Sequence, residues 1–113
     1  MRGDRILKKT IHESLYTLRY QRDKLIQYFP EALIHGKPFY DLPCSVKLDF
    51  YRNRPSYDVD NLVKQALDLL KDADILKDDE KVFNIEATIH EGTTDEYFII
   101  EIFEWLSEER KTE

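Results

Sequence analysis

Cysteine, glycine and long apolar runs are all scarce in this chain of 113 residues. Cys44 is the only cysteine, so no disulfide can form within the chain, which points to a reducing compartment. No stretch approaches the roughly 18 to 20 consecutive apolar residues that a membrane-spanning helix needs. The start, Met1-Arg2-Gly3-Asp4-Arg5, has basic residues but no apolar segment behind them, so it does not read as a secretory signal. These absences predict a cytoplasmic protein with no membrane partner. There are only three glycines, no internal repeat and no Gly/Ser linker, so 1–113 reads as a single domain.

An apolar content of 42% allows a modest core, one that a second subunit could extend. The 35% charged and 12% aromatic fractions together argue against disorder, because disordered chains are poor in aromatics. The net charge is −6, whereas binding to a phosphate backbone usually needs a basic surface. Four of the negatives are Asp58, Asp60, Asp78 and Asp79, and without them the balance falls from −6 to about −2. If those four cluster around divalent ions, the remaining surface is nearly neutral.

The spacing of Ile11, Leu15, Leu18, Leu25, Ile26 and Phe29 predicts a first helix that Pro30 ends. Thr10 and Glu13 fit a capping box at its start. Gly36, Pro38 and Pro43 mark a loop. From Cys44 to Arg52 the sequence alternates, with Cys44, Val46, Leu48 and Phe50 on one face, as in a half-buried strand. A second helix is expected from about Val59 to Lys71, with Leu62, Val63, Ala66, Leu67, Leu69 and Leu70 as its apolar face. Lys77-Asp78-Asp79-Glu80 reads as a polar turn. Val82–His90 and Tyr97–Trp105 read as strands joined as a hairpin through Glu91-Gly92-Thr93-Thr94-Asp95. The last strand is apolar on both faces, and its second face calls for further cover, a partner subunit being one candidate. The expected class is α+β, a small mixed or antiparallel sheet of three to four strands packed with two main helices.

Asp58 and Asp60 stand two apart where a loop enters the second helix. In an extended segment such a pair points to one side, so both carboxylates can reach one cation. Magnesium takes oxygen ligands and keeps several waters, so two or three carboxylates suffice. Asp79 follows a helix of roughly 20 Å. The turn and sheet must therefore return Asp78 and Asp79 to the first pair, or a second subunit must supply them. Simpler roles also fit these residues: Asp58 or Asp60 as a helix cap, Asp78-Asp79 as a solvated turn, and Lys64 as a rung between Asp60 and Asp68 in a surface ion-pair ladder. His12, His35 and His90 share no ligand spacing and read as structural, and Trp105 reads as core or interface.

Asp58-Val-Asp60-Asn61-Leu62-Val63-Lys64, the helix with Ala66, Leu67 and Asp68, and the closing Ile75-Leu76-Lys77-Asp78-Asp79 resemble the RusA family of Holliday-junction resolvases. That family carries Asp-x-Asp-Asn-x-x-Lys, a helix of matching length and a closing Asp-Asp. The similarity runs ungapped from Asp58 to about Val82. It implies that Asp58, Asp60 and Asp79 are catalytic carboxylates that bind Mg2+, with Mn2+ as a substitute ion. Lys64 would be the catalytic lysine at the scissile phosphate, and Asn61 and Asp78 supporting residues. The implied function is paired, symmetric phosphodiester hydrolysis in a four-way DNA junction by a homodimer, in DNA recombination and repair. Lys47, Arg52 and Arg54 precede the motif as candidate DNA contacts. The family usually begins with a strand before its first helix, and because the helix here is expected from Thr10, that strand is expected to be absent. The alternative is a non-catalytic module that binds branched DNA or metal and retains the scaffold.

Overall fold

A computed structural model describes residues 1–55 and 57–107. Its elements in chain order are β1 (Arg2–Ile11), α1 (Leu15–Tyr20), a 3-10 segment (Arg22–Tyr28), α2 (Glu31–His35), β2 (Cys44–Tyr51), α3 (Val59–Asp72), a short 3-10 turn (Asp79–Lys81), β3 (Val82–His90) and β4 (Tyr97–Trp105). The four strands form one mixed sheet in the order β1-β4-β2-β3. β4 pairs antiparallel with both β1 and β2, whereas β3 pairs parallel with β2. The chain is thus α+β with a four-stranded mixed sheet, as the residue pattern predicts.

The N-terminal segment departs from expectation. Residues 2–11 form a strand, so the strand expected to be absent is present. Leu7 and Ile11 point into the core from it. A spacing of four fits the two-residue period of a strand as well as the helical period, so Ile11 faces inward under either assignment. The helix starts later, with Ser14 as its cap: its hydroxyl accepts from the Thr17 amide, the bond expected of Thr10. It is also interrupted. Gln21, at φ −135°, ψ 42°, separates α1 from the 3-10 segment. Leu25 and Phe29 are nevertheless buried.

β2 follows its alternation closely. Val46, Leu48 and Phe50 are fully buried, and as a central strand β2 has both edges paired. This placement overturns the expected β3–β4 hairpin, because β2 lies between the two strands. The connection from β2 to β3 runs through α3, the crossover that parallel neighbours require. α3 lays Leu62, Ala66, Leu69 and Leu70 on the sheet, and Val63 and Leu67 pack at the edge of that core. Burying side chains of this size stabilises by about 1.5–3 kcal/mol each before conformational entropy is counted.

The other face of the sheet is lined by its own cross-strand rows. Lys8, Glu101, Lys47 and Glu86 lie opposite one another in turn, with alternating charge. Next to them Tyr51 is stacked between His90 and Tyr97, with ring centroids 4.3 Å away on each side. The His90 Nε2 lies 2.8 Å from Asp49 Oδ1. β4 therefore buries Phe98, Ile100 and Ile102 against the helices. Its second face is partly covered from within the sheet, with Glu101 itself buried beside Arg5.

Candidate functional site

Asp58 is extended (φ −104°, ψ 157°) and caps α3. Its Oδ1 accepts the Asn61 amide at 3.0 Å, and its Oδ2 accepts the Asn61 side-chain Nδ2 at 3.1 Å. The capping role is therefore realised, and Asn61 fixes the orientation of the carboxylate. Capping does not exhaust Asp58, because a carboxylate offers about four lone-pair positions and two are used. Asp60 lies within the first helical turn, so the same-side rule for extended residues does not govern the pair. Both carboxylates are solvent-exposed at the α3 N-terminus, where the helix dipole favours negative charge.

Lys64, one turn further along, is exposed as well. Among the described residues it forms no ion pair with Asp60 or Asp68. Asp68 pairs instead with Lys71, at 3.3 Å. The ladder that spacing allows does not form at its first two rungs, which leaves Asp60 and Lys64 open to other partners.

Asp79 lies elsewhere. Its Oδ2 accepts from Lys71 Nζ at 3.3 Å, and the same ammonium holds Asp68. Burial acts to lower the Lys71 pKa, but its hydrogen bonds to Asp68 and Asp79 outweigh that and hold it above the ordinary lysine value. Asp78 caps the 3-10 turn, its Oδ1 accepting the Glu80 amide at 2.8 Å. Asp60 and Lys71 are about 16 Å apart along the α3 axis, from a rise of about 1.5 Å per residue. The sheet gives the same answer. Val82, just after Asp79, pairs with Cys44 at one end of β2, whereas Asp58 follows the Tyr51 end. Those ends are about 23 Å apart at a strand rise of about 3.3 Å per residue. Two carboxylates that share one Mg2+ must bring their oxygens within about 4 Å. One chain therefore does not bring Asp79 to Asp58 and Asp60, and no group of three or more potential metal ligands occurs among the described residues.

The three basic candidates also divide. Lys47 sits on the sheet face away from α3, 3.9 Å from Asp49 and 4.0 Å from Glu101. Arg52 is a clamp: Nη1 donates to the Tyr57 carbonyl, while Nε and Nη2 donate to Glu91 Oε1 at 3.2 and 2.7 Å. It ties the loop entering α3 to the loop leaving β3. Arg54 alone is exposed and has no carboxylate partner among the described residues.

Sequence reasoning passed over α1, where Tyr16 and Tyr20 are 50% and 60% exposed with ring centroids 4.9 Å apart. The Arg19 guanidinium lies 5.2 Å from the Tyr20 ring centre. The available signal was a Tyr pair at i, i+4 with an arginine between, on a helix that packs against α3. No family model matches the chain, and none of the curated proteins searched matches it. No helix among the described residues is long and apolar enough to cross a membrane.

Proposed function

We propose that this protein is a divalent-metal-dependent endonuclease of the cytoplasm that cuts branched DNA, with the four-way junction as substrate. The observation that carries the proposal is the open charge pair on α3: Asp60 and Lys64 stand exposed on successive turns with no ion-pair partner among the described residues. A structural ladder would have closed that pair. A site that holds a cation and a phosphate needs it open.

Asp58 and Asp60 fit a magnesium ion that keeps most of its waters, since Mg2+ is commonly bound through one or two carboxylates plus phosphate oxygens. Bound there, the ion would supply an activated water and offset charge on the phosphoryl oxygens. Asn61 orients Asp58. Lys64 offers a compact positive charge for the scissile phosphate or the leaving oxygen.

Asp79 then enters from a second copy of the chain. A two-fold axis that crosses the sheet near the middle of β3 reverses the partner's direction, bringing the Asp79 end of one protomer beside the Asp58–Asp60 end of the other. β3 is a sheet edge with Phe83 and Ile85 exposed at 57% and 42%, an apolar surface suited to such contact. Two equivalent sites related by a two-fold match paired cuts in a symmetric junction. The separation of Asp79 also supports a second reading, in which the isolated protomer is a binding module with half a site.

The test uses a labelled four-way junction and a linear duplex of the same sequence, each with Mg2+ or EDTA, and Asp60→Asn beside the parent protein. Symmetric nicks in the junction alone, lost with EDTA and with the substitution, are expected. Tight junction binding without cleavage would favour the binding module. Absence of binding to either DNA at low salt would refute both.

A further inference from the structure

We infer that α1 and the loop before α3 form a strand-holding surface, on which Tyr16 and Tyr20 stack unpaired DNA bases while Arg19 and Arg54 hold the phosphates. The inference rests on the endonuclease reading and names how that site grips its substrate.

Tyr16 and Tyr20 succeed each other at one helical turn, half or more exposed, with their rings inclined at 48°. Buried core contacts do not explain them, because α1 faces the core with Leu15 and Leu18 instead. A Tyr pair left in water beside a cation is the composition of single-strand grooves, where bases stack on aromatic rings and arginines meet the backbone. Arg19 lies over Tyr20 and has no carboxylate partner among the described residues. Arg54 is equally unpaired.

The surface adjoins the α3 site. α1 packs against α3, and Arg54 lines one cleft with Ser14, the cap of α1, and with Asp95 and Glu96. Tyr57 immediately precedes Asp58, and its carbonyl is held by Arg52. Two acidic groups lie there: Glu96, whose Oε1 accepts the Leu15 amide at 3.0 Å and whose Oε2 accepts the Asn53 amide at 3.1 Å, and the exposed Asp95. With Asp95 set against Arg19 and Arg54, the balance of free charge on this surface is positive. DNA fits it better than an acidic peptide does, since the tyrosines offer flat ring faces and a junction offers bases that unstack at its branch point.

The experiment measures binding of a fluorescein-labelled four-way junction and a labelled single strand to the full chain in EDTA, so that no cleavage intervenes. Tyr16→Leu/Tyr20→Leu keeps apolar, helix-compatible side chains and removes the rings. It should weaken binding by about 5- to 150-fold per stacked base, the range spanned by base–aromatic stacking. Tyr16→Phe/Tyr20→Phe should bind within about threefold of the parent, since the ring remains. Arg19→Gln should reduce the dependence of log affinity on log salt by about 0.7 to 0.9, the loss of one phosphate contact, whereas the Leu pair should leave that slope unchanged. If the parent cleaves junctions while the Leu pair binds within twofold of it, the strand-holding surface is wrong and the endonuclease stands. If the Phe pair is as weak as the Leu pair, stacking is refuted. If the parent binds neither DNA at low salt, both proposals fail.

Discussion

Mixed dimers give the most decisive test of how the acidic residues combine. Asp79 is held by Lys71 at the far end of α3, about 16 Å along the helix axis from Asp60. Sharing one cation requires oxygens within about 4 Å, so the shortfall is several times the span of the site. Side-chain rotation cannot close such a gap, because an aspartate oxygen lies only about 3 Å from its Cα. Consider one protomer that carries Asp60→Asn and another that carries Asp79→Asn. If each site draws Asp58 and Asp60 from one chain and Asp79 from the other, a heterodimer has both lesions in one site and none in its twin. Each homodimer has one lesion in every site.

The two variants, with different affinity tags, are co-expressed and the doubly tagged dimer isolated. On a junction with separately labelled strands, this dimer should nick at about half the parent rate, with single nicks replacing paired cuts, because one of two symmetric sites is intact. Both homodimers should be inactive. If Asp79 serves the site of its own chain, the heterodimer has one lesion in each site and is as inactive as the homodimers. That outcome, with an active parent, would refute the two-chain site.

Other expectations follow from single positions. Asp58→Ala should lower stability by about 1 kcal/mol in urea unfolding through loss of the α3 cap, whereas Asp58→Asn retains a capping oxygen and should stay within a few tenths. Leu48→Ala, at a fully buried position of the central strand, should cost about 2–5 kcal/mol by the same assay. The Cys44 thiol is pushed up to about 11 by burial. It should resist a disulfide reagent at pH 8 until the protein is unfolded. Because its folded value is raised, the thiol's stabilising contribution is complete below the ordinary value of 9.0 and is lost as pH rises through about 11. The parent should therefore lose more stability over that interval than Cys44→Ala.

Legibility of the fold varied with how local its causes are. The alternation in β2 and the apolar stripe of α3 read correctly, because each buries one face and the period of that face is in the residues themselves. The end of β1 was ambiguous because Ile11 and Leu15 stand four apart, a spacing that fits the strand period as well as the helical one. The hairpin failed for a non-local reason: Gly92 permits a turn at φ 83°, but β2, with Val46, Leu48 and Phe50 fully buried, gains more by lying between β3 and β4 than at an edge. The candidate site was legible as a motif at the start of α3. Its geometry was not, since the distance to Asp79 depends on β3 running parallel to β2.

The acidic balance that counted against DNA is a property of the whole chain and not of this surface. Carboxylates elsewhere are largely committed: Glu86 to Arg2, Glu31 to Lys9, Asp72 to Arg22, Asp74 to Lys37 and Glu91 to Arg52. These pairs remove cations from general use as well, so what matters is which charges are left over and where. Arg19 and Arg54, beside the loop that leads into Asp58, and Lys64 on α3 have no carboxylate partner among the described residues. Charges beyond about 8 Å are largely screened at physiological ionic strength. A phosphate near the start of α3 therefore meets local cations first, and the two aspartates oppose it until a divalent ion neutralises them. DNA binding should accordingly depend on Mg2+ near Asp58 and Asp60 but not at Tyr16 and Tyr20. Comparing junction affinity with and without Mg2+ in Asp58→Asn/Asp60→Asn should show the parent's metal-dependent gain abolished. A gain that survives in this variant would place the ion elsewhere.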